Sequence, residues 1–206
     1  MVKEVRIYVE GGGDGNDTKA ALRRGFHRFL QGLISEARKK RIKWQIVICG
    51  SRHDAFKNFV TALKTHPEAF NILLVDAEGP VSNSPKLHLM ERDGWQLPNM
   101  DEACFHLMVQ TMEAWIIADV DALSKFYGQG FNANAIPRNP DVEQVGKEDL
   151  ETALTNATRN TSKGKYHKTR HAPQLLEQLD VARVRKAAAH CDRLFSILES
   201  YIVGSV

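Results

Sequence analysis

Apolar residues along the chain form short runs typical of strands, separated by longer segments with helical spacing. Residues 5–9, 44–49 and 72–75 are rich in β-branched, aromatic or apolar residues, and each run ends at acidic or turn-forming residues. Apolar residues recur at helical spacing over 22–37 and 56–63, between these runs. The order strand, helix, strand, helix, strand predicts an α/β domain whose parallel strands are covered on both faces.

The pattern changes after the third strand. Residues 79–100 hold three of the seven prolines, and we predict a long irregular excursion from the sheet there. Phe105–Val109 is a candidate fourth strand, and the sequence from Glu113 to Asp119 is typical of the start of a helix. The predicted fold is therefore a mostly parallel, Rossmann-like central sheet flanked by helices.

The C-terminal portion is predicted to be helical, with a basic interruption at Arg159–His171. The last helical pattern places apolar residues from Val181 to Ile202 on one face. No internal repeat or low-complexity linker divides the chain. We therefore expect a single domain over residues 1–206, with the sheet in 1–130 and a mostly helical extension in 131–206.

Composition excludes several classes of protein. With 206 residues, 43% hydrophobic and 26% charged, the chain is neither disordered nor collagen-like. Three cysteines (Cys49, Cys104 and Cys191) without a CxxC pair suggest neither a disulfide framework nor a zinc site, and we expect reduced, buried thiols in a cytoplasmic protein. No stretch approaches the roughly 18 apolar residues of a membrane span, and we expect no signal peptide.

Acidic residues follow the predicted strands at the edge where α/β sheets bind ligands. Glu10 follows the first strand, and Asp76 and Glu78 follow the third. Glu113 lies after the fourth, and Asp14 is separated from the first acid by a glycine loop. Carboxylates brought together repel one another unless a proton or cation intervenes, and their hard oxygens suit Mg²⁺ or Mn²⁺. We therefore expect a divalent metal site, with helix capping or a solvated turn as the alternative for each acid.

The glycine run at 11–15 does not match the common phosphate or calcium loops. A GxGxxG motif fails on spacing, no Gly-Lys-Ser/Thr follows, and a calcium loop starting at Asp14 would need glycine where Lys19 stands. The histidines form no HExxH motif, Trp115 is expected to pack in the core, and Asp119 is expected to be structural.

Two basic stretches could meet an anion, although 28 Lys and Arg against 25 Asp and Glu give a net charge of only +3. The cations between Arg38 and Lys43 are most simply a solvated helix end. The stretch at 159–171 has no acid and is the better phosphate-binding candidate, with a solvated mobile loop as its alternative. Tyr166 could also stack on a base. The candidate nucleic-acid contacts in this basic stretch are Arg159, Lys163, Lys165, Tyr166, His167, Lys168 and Arg170.

Several blocks resemble a bacterial family, domain of unknown function 4276. They are VEGGGD at 9–14, LVDAEG at 74–79 and MVQTMEAWIIAD at 108–119, followed by KYHK at 165–168. That family resembles the Toprim superfamily, which includes topoisomerase and primase domains and the nucleases of the overcoming-lysogenisation-defect type. The resemblance implies a Toprim-like fold, a nuclease activity, a role in phage defence and an ATPase partner.

The same resemblance implies roles for the acids. Glu10 matches the Toprim glutamate, and Asp76 with Glu78 matches its acidic pair. Asp14 matches the second acid of the nuclease branch, where the family pattern has Glu, and residue 78 is Glu where the pattern has Asp. Each difference moves a carboxylate by about one methylene, which leaves metal binding possible and two-metal geometry open.

The sequence and the resemblance together predict a Mg²⁺- or Mn²⁺-dependent phosphodiesterase that acts on DNA or RNA. Glu10 and Asp76 are expected to be catalytic through the metal, and Lys165 or Lys168 is expected to meet the scissile phosphate. The expected metal ligands are Glu10, Asp14, Asp76, Glu78 and Glu113.

Two other functions stay open at this point. One is a catalytically inactive module that binds nucleic acid or a partner ATPase. The other is a metal site for a free nucleotide, which is less favoured because no base- or ribose-binding motif is found. The oligomeric state, including a homo-oligomer, is not fixed by the sequence.

Overall fold

The strands of the computed structural model, which describes residues 2–97 and 100–204, form one parallel sheet. The order across the four described strands is β2-β1-β3-β4, and every neighbouring pair is parallel. The central strand β3 is buried along its whole length, as its continuous apolar run requires when helices cover both faces. The predicted α/β fold with a parallel, Rossmann-like sheet flanked by helices is confirmed. The strands are β1 (Glu4–Glu10), β2 (Lys43–Gly50), β3 (Phe70–Asp76) and β4 (Phe105–Met108).

Helices lie in the segments between the strands and make up more than half of the described chain beyond β4. Short 3₁₀ turns at Glu102–Cys104, Ala133–Ala135 and Val142–Gln144 join some of them. The helices are α1 (Asn16–Phe29), α2 (Gln31–Lys39), α3 (Arg52–Thr65), α4 (Pro85–Asp93), α5 (Met112–Ile117), α6 (Val120–Tyr127), α7 (Lys147–Thr158), α8 (Lys168–Leu176), α9 (Val181–Ala187) and α10 (Ala189–Val203).

The prediction of an irregular excursion over 79–100 is wrong in its middle, where α4 forms. Ser84 caps this helix by accepting a hydrogen bond from the Leu87 N–H. Pro85 occupies the first turn, where a missing N–H costs nothing, and Gly94 ends the helix with a positive φ of 65°. Prolines therefore mark a helix start here. Residues 98–99 of the predicted excursion lie outside the described residues.

Two segments predicted as single helices are each divided into two. Leu30 separates α1 from α2, and Ala188, whose φ and ψ are −132° and 102°, separates α9 from α10. The apolar spacing continues across both breaks because the two helices of each pair both bury an apolar face in the core. Periodicity therefore found the buried faces and not the breaks.

The basic stretch at 159–171 is shorter as a loop than predicted, because α8 already begins at Lys168. The loop before it is held by hydrogen bonds to Thr158 at the end of α7. The Tyr166 N–H donates to the Thr158 hydroxyl at 2.7 Å, and the Thr161 hydroxyl donates to the Thr158 carbonyl at 2.8 Å. These bonds fix the path that leads into α8.

The core contains the side chains that were expected there. Trp115 is fully buried and stacks on Phe29 with 5.5 Å between ring centroids. Asp119 caps α6 through the Ala122 N–H and also accepts from the Asp180 N–H at 2.9 Å, so its predicted structural role is confirmed. The three cysteines, Cys49, Cys104 and Cys191, are free and buried. Among the described residues, no helix combines the length and the apolar character needed to span a bilayer.

Candidate metal and phosphate site

Three carboxylates meet at the carboxyl edge of the sheet. Glu10 is the last residue of β1, and Asp76 is the last residue of the neighbouring strand β3. The two are joined directly, since the Asp76 N–H donates to Glu10 Oε2 at 3.2 Å. Glu78 lies two residues further on, in a left-handed conformation with φ of 65°. Carboxylate oxygens of the three residues all lie within 4.8 Å of one another, and we call this group the acidic cluster.

The acidic cluster opens into a cleft of about 150 Å³. The cleft lies between the glycine run that follows β1 and the helices α1 and α8. Gly11, Gly12 and Gly13 all have positive φ, which glycine adopts without strain. A Cβ at Gly12 would lie only 2.9 Å from the Ile48 side chain. The glycine run, which matches no phosphate-loop motif, therefore turns the chain closely past β2 and leaves the mouth of the cleft free of side chains.

Asp76 is the most deeply buried member of the acidic cluster, with 4% of its surface exposed. Its Oδ1 accepts from the Met112 N–H at 2.8 Å, and its Oδ2 lies 3.2 Å from Lys168 Nζ. Burial raises the pKa of Asp76 to about 7; Lys168 opposes this rise, and the Glu113 and Glu10 carboxylates add to it. Asp76 therefore ionises less readily than a free aspartic acid, mainly because burial disfavours its charged form.

Glu10 is oriented by Arg52, the first residue of α3. Arg52 Nη1 lies 3.2 Å from Glu10 Oε2 and also donates to the Asp76 carbonyl oxygen. Arg52 Nε and Nη2 donate to the two carboxylate oxygens of Asp93, at 2.9 and 2.7 Å, and these bonds fix the guanidinium. Burial raises the pKa of Glu10, and Arg52 opposes the rise. Sequence reasoning missed Arg52, although its position just after β2 places it at the same edge.

Glu78 has a different basic partner, Lys147, the first residue of α7. The Lys147 ammonium forms an ion pair with Glu78 Oε2. Partial burial works to raise the pKa of Glu78, but the hydrogen bond and charge of Lys147 lower it. Gln110 joins the two backbones, since its carbonyl accepts from the Glu78 N–H at 2.7 Å and its side-chain oxygen accepts from the Lys147 N–H at 3.3 Å. No sequence signal marked Lys147.

Glu113 lies beside the acidic cluster and outside it. Its Oε1 accepts from the Tyr166 hydroxyl at 3.0 Å, and its Oε2 lies 3.5 Å from Lys168 Nζ. Burial and the Glu113 carboxylate raise the pKa of Tyr166 well above its usual value. Burial works to lower the pKa of Lys168, but Asp76 and Glu113 raise it. Glu113 and Tyr166 therefore hold Lys168, and Lys168 connects them to Asp76.

The remaining predicted residues lie outside the acidic cluster. Asp14 is exposed in the glycine loop. The Lys163 ammonium lies 5.0 Å from the centroid of the Phe126 ring. Of the basic stretch, Lys168 alone contacts the acidic cluster within the described chain. The other exposed members of the stretch, before and after Lys168, are Arg159, Lys163, Lys165, His167 and Arg170.

The other basic stretch, at 38–43, lies at the opposite end of the sheet. Lys43 begins β2, whose last residue, Gly50, lines the cleft. Eight residues of extended chain separate the two ends by roughly 23 Å. This separation agrees with its interpretation as a solvated helix end.

A family model described as "Domain of unknown function (DUF4276)" matches residues 9–199. The match covers every residue of the acidic cluster and every basic partner described above. No match was found among curated proteins or among solved structures.

Proposed function

The chain belongs to the DUF4276 family, and we propose that it is a divalent-metal-dependent phosphodiesterase that acts on nucleic acid. One observation carries the proposal. The carboxylates of Glu10, Asp76 and Glu78 lie within 4.8 Å of one another, in a cleft that also holds the Lys168 ammonium. Grouped hard oxygen donors suit Mg²⁺ or Mn²⁺, and a neighbouring cation suits a phosphate.

The acidic cluster fits such an ion by its chemistry and its spacing. Oxygen ligands of one Mg²⁺ at about 2.1 Å lie roughly 3–4 Å apart, so small side-chain rotations would close the three carboxylates around one ion. The pKa of the buried Asp76 is raised to about 7 in the metal-free protein. A bound ion would offset the repulsion between Asp76 and the carboxylates of Glu10 and Glu113. Glu113 and Asp14 would serve a second ion only by approaching the acidic cluster more closely.

In the proposed reaction, the side chains of the cleft bind and orient the phosphodiester. A divalent ion in the acidic cluster would supply a nucleophile at neutral pH and offset the negative charge that develops on the phosphate. Lys168 is placed to donate to a phosphate oxygen, with Glu113 and Tyr166 behind it keeping its ammonium in position. Arg52 would keep Glu10 aligned. Lys165 and Arg170, exposed nearby, would contact flanking phosphates.

Cleavage assays with purified protein test this proposal. Labelled DNA and RNA are incubated with Mg²⁺ or Mn²⁺ and wild type, Glu10→Gln, Asp76→Asn or the control Glu151→Gln, which changes an exposed acid of α7. We expect cleavage by wild type and the control, and a loss of at least a hundredfold in both cluster variants. Equal cleavage by all four proteins would refute the assigned site.

A non-catalytic module is the second candidate, and a specific observation favours it. Each carboxylate of the acidic cluster already has a basic partner, and such ion-pair networks also occur as purely structural features. A wild type that binds nucleic acid but cuts neither DNA nor RNA with either ion would support this function instead.

Phage defence and an ATPase partner belong to the same proposal and rest on the Toprim resemblance. The proposed cytoplasmic location rests on the cysteines, which are free and buried. Cells that express wild type and cells that express Asp76→Asn can be challenged with phage. The proposal expects protection only by wild type, and equal plaque counts would contradict it.

A further inference from the structure

The acidic cluster is neutralised by three basic side chains, one for each carboxylate. They differ in the number of carboxylates that hold each of them. The pairs are Glu10 with Arg52, Asp76 with Lys168, and Glu78 with Lys147.

Two of the basic residues have a second carboxylate partner. Arg52 forms two hydrogen bonds to the Asp93 carboxylate, and 14% of its side chain is exposed. Lys168 also contacts Glu113, at 3.5 Å. Each would keep an ion pair if an incoming cation took the carboxylate that it shares with the acidic cluster. Neither would therefore be left without a carboxylate partner when the site is filled.

Lys147 is held differently. In the part of the chain that the structure describes, Glu78 is the only carboxylate that its ammonium contacts. The Lys147 side chain is 41% exposed, close to the 47% of Lys168, so the number of carboxylate partners is what distinguishes the two. Its backbone is fixed, because it begins α7 and its N–H donates to the Gln110 side chain. The backbone thus keeps Lys147 beside the cleft while its ammonium can turn into solvent at little cost.

We propose that Lys147 is a displaceable counter-ion that neutralises Glu78 in the metal-free protein and turns to a substrate phosphate when a divalent cation occupies the acidic cluster. The inference rests on the proposed function and deepens it. The ammonium and a divalent ion would compete for the Glu78 carboxylate, and their like charges would repel at that distance. Once released, Lys147 lies at the rim of the cleft, where an anionic phosphodiester would replace Glu78 as its partner.

Metal titration tests the first half without any need for activity. Mg²⁺ binding is measured by calorimetry for wild type, Lys147→Gln, Lys147→Arg and Lys64→Gln. The last is a control on α3, about 18 Å of helix from Arg52. We expect Lys147→Gln to bind Mg²⁺ about fivefold more tightly, the size of one exposed ion pair. The Arg variant and the control should match wild type within about twofold.

Binding of a nuclease-resistant phosphorothioate oligonucleotide tests the second half. With Mg²⁺, Lys147→Gln should bind it about fivefold more weakly than wild type. With a chelator and no Mg²⁺, the two proteins should differ by about twofold or less, because Lys147 is then paired with Glu78 and the variant loses only a screened, long-range charge. This dependence on the metal separates the proposal from a general loss of positive charge.

The outcomes separate this inference from the proposed function. If wild type binds Mg²⁺ and Lys147→Gln binds it with the same or lower affinity, the inference is refuted and the metal site stands. If the affinities change as expected but no nucleic acid is cut, the inference stands and the proposed catalysis fails. If wild type binds no Mg²⁺, both fail together.

Discussion

His106 is expected to make the protein sensitive to acid. It lies in β4, is 1% exposed, and is fixed by two contacts that assign it the neutral form. Its Nε2 lies 3.0 Å from the Ala103 carbonyl, to which an Nε2–H donates, and its Nδ1 lies 3.2 Å from Arg193 Nη1, which donates to it. Burial, followed by the charge of Arg193, lowers the pKa of His106 from 6.5 to about 3.

The sign and size of the effect follow from this depressed pKa. The unfolded chain takes up a proton at His106 as the pH falls below 6.5, whereas the folded chain resists protonation down to about 3. Stability from this group is therefore present above pH 6.5 and is lost as the pH falls through that range. Each pH unit below 6.5 costs about 1.36 kcal/mol, which gives about 2 kcal/mol between pH 7.5 and pH 5. A domain of ordinary stability would lose a substantial share of its free energy of unfolding.

Urea unfolding of wild type and His106→Gln at pH 7.5 and pH 5 measures this contribution. The variant is expected to be less stable at both values, but its loss between them should be about 2 kcal/mol smaller than that of wild type. Equal losses in wild type and His106→Gln would refute the reasoning.

Three further predictions concern the cleft and its supports. Mg²⁺ affinity is expected to fall about tenfold between pH 8 and pH 6, because protons compete at Asp76, whose pKa is about 7; a flat calorimetric profile would contradict this. Asp93→Asn removes the fork behind Arg52 and should weaken Mg²⁺ binding by about tenfold in the same titration, whereas unchanged affinity would show that the fork is dispensable. Gly25→Ala should lower the free energy of unfolding by about 1–3 kcal/mol, because its Cβ would lie 2.7 Å from a carbonyl oxygen of α8. The control Gly32→Ala, exposed in α2 with no atom within 4 Å, should leave thermal stability unchanged or slightly raised, and equal effects of both variants would argue against the close packing of α1 on α8.

Much of the fold could be predicted from the sequence, because local periodicity reports which face of an element is buried. The strands near residues 5–9, 44–49, 72–75 and 105–109 were predicted, and all four form within a few residues. Periodicity did not predict the breaks at Leu30 and Ala188 or the helix α4. Neither break interrupts the apolar pattern, and the proline that begins α4 is also typical of loops.

The sequence by itself determined that acids follow the strands of a parallel sheet, so that they lie at one edge. The tertiary structure decided that β1 and β3 are neighbours, which brings Glu10 and Asp76 together. Which cations meet these acids was decided only by the tertiary structure. Lys147 and Glu78 are 69 residues apart along the chain, and Lys168 and Asp76 are 92 apart. Local patterns carry no information about such pairs, because a charged side chain finds its partner through the packing of whole helices on the sheet.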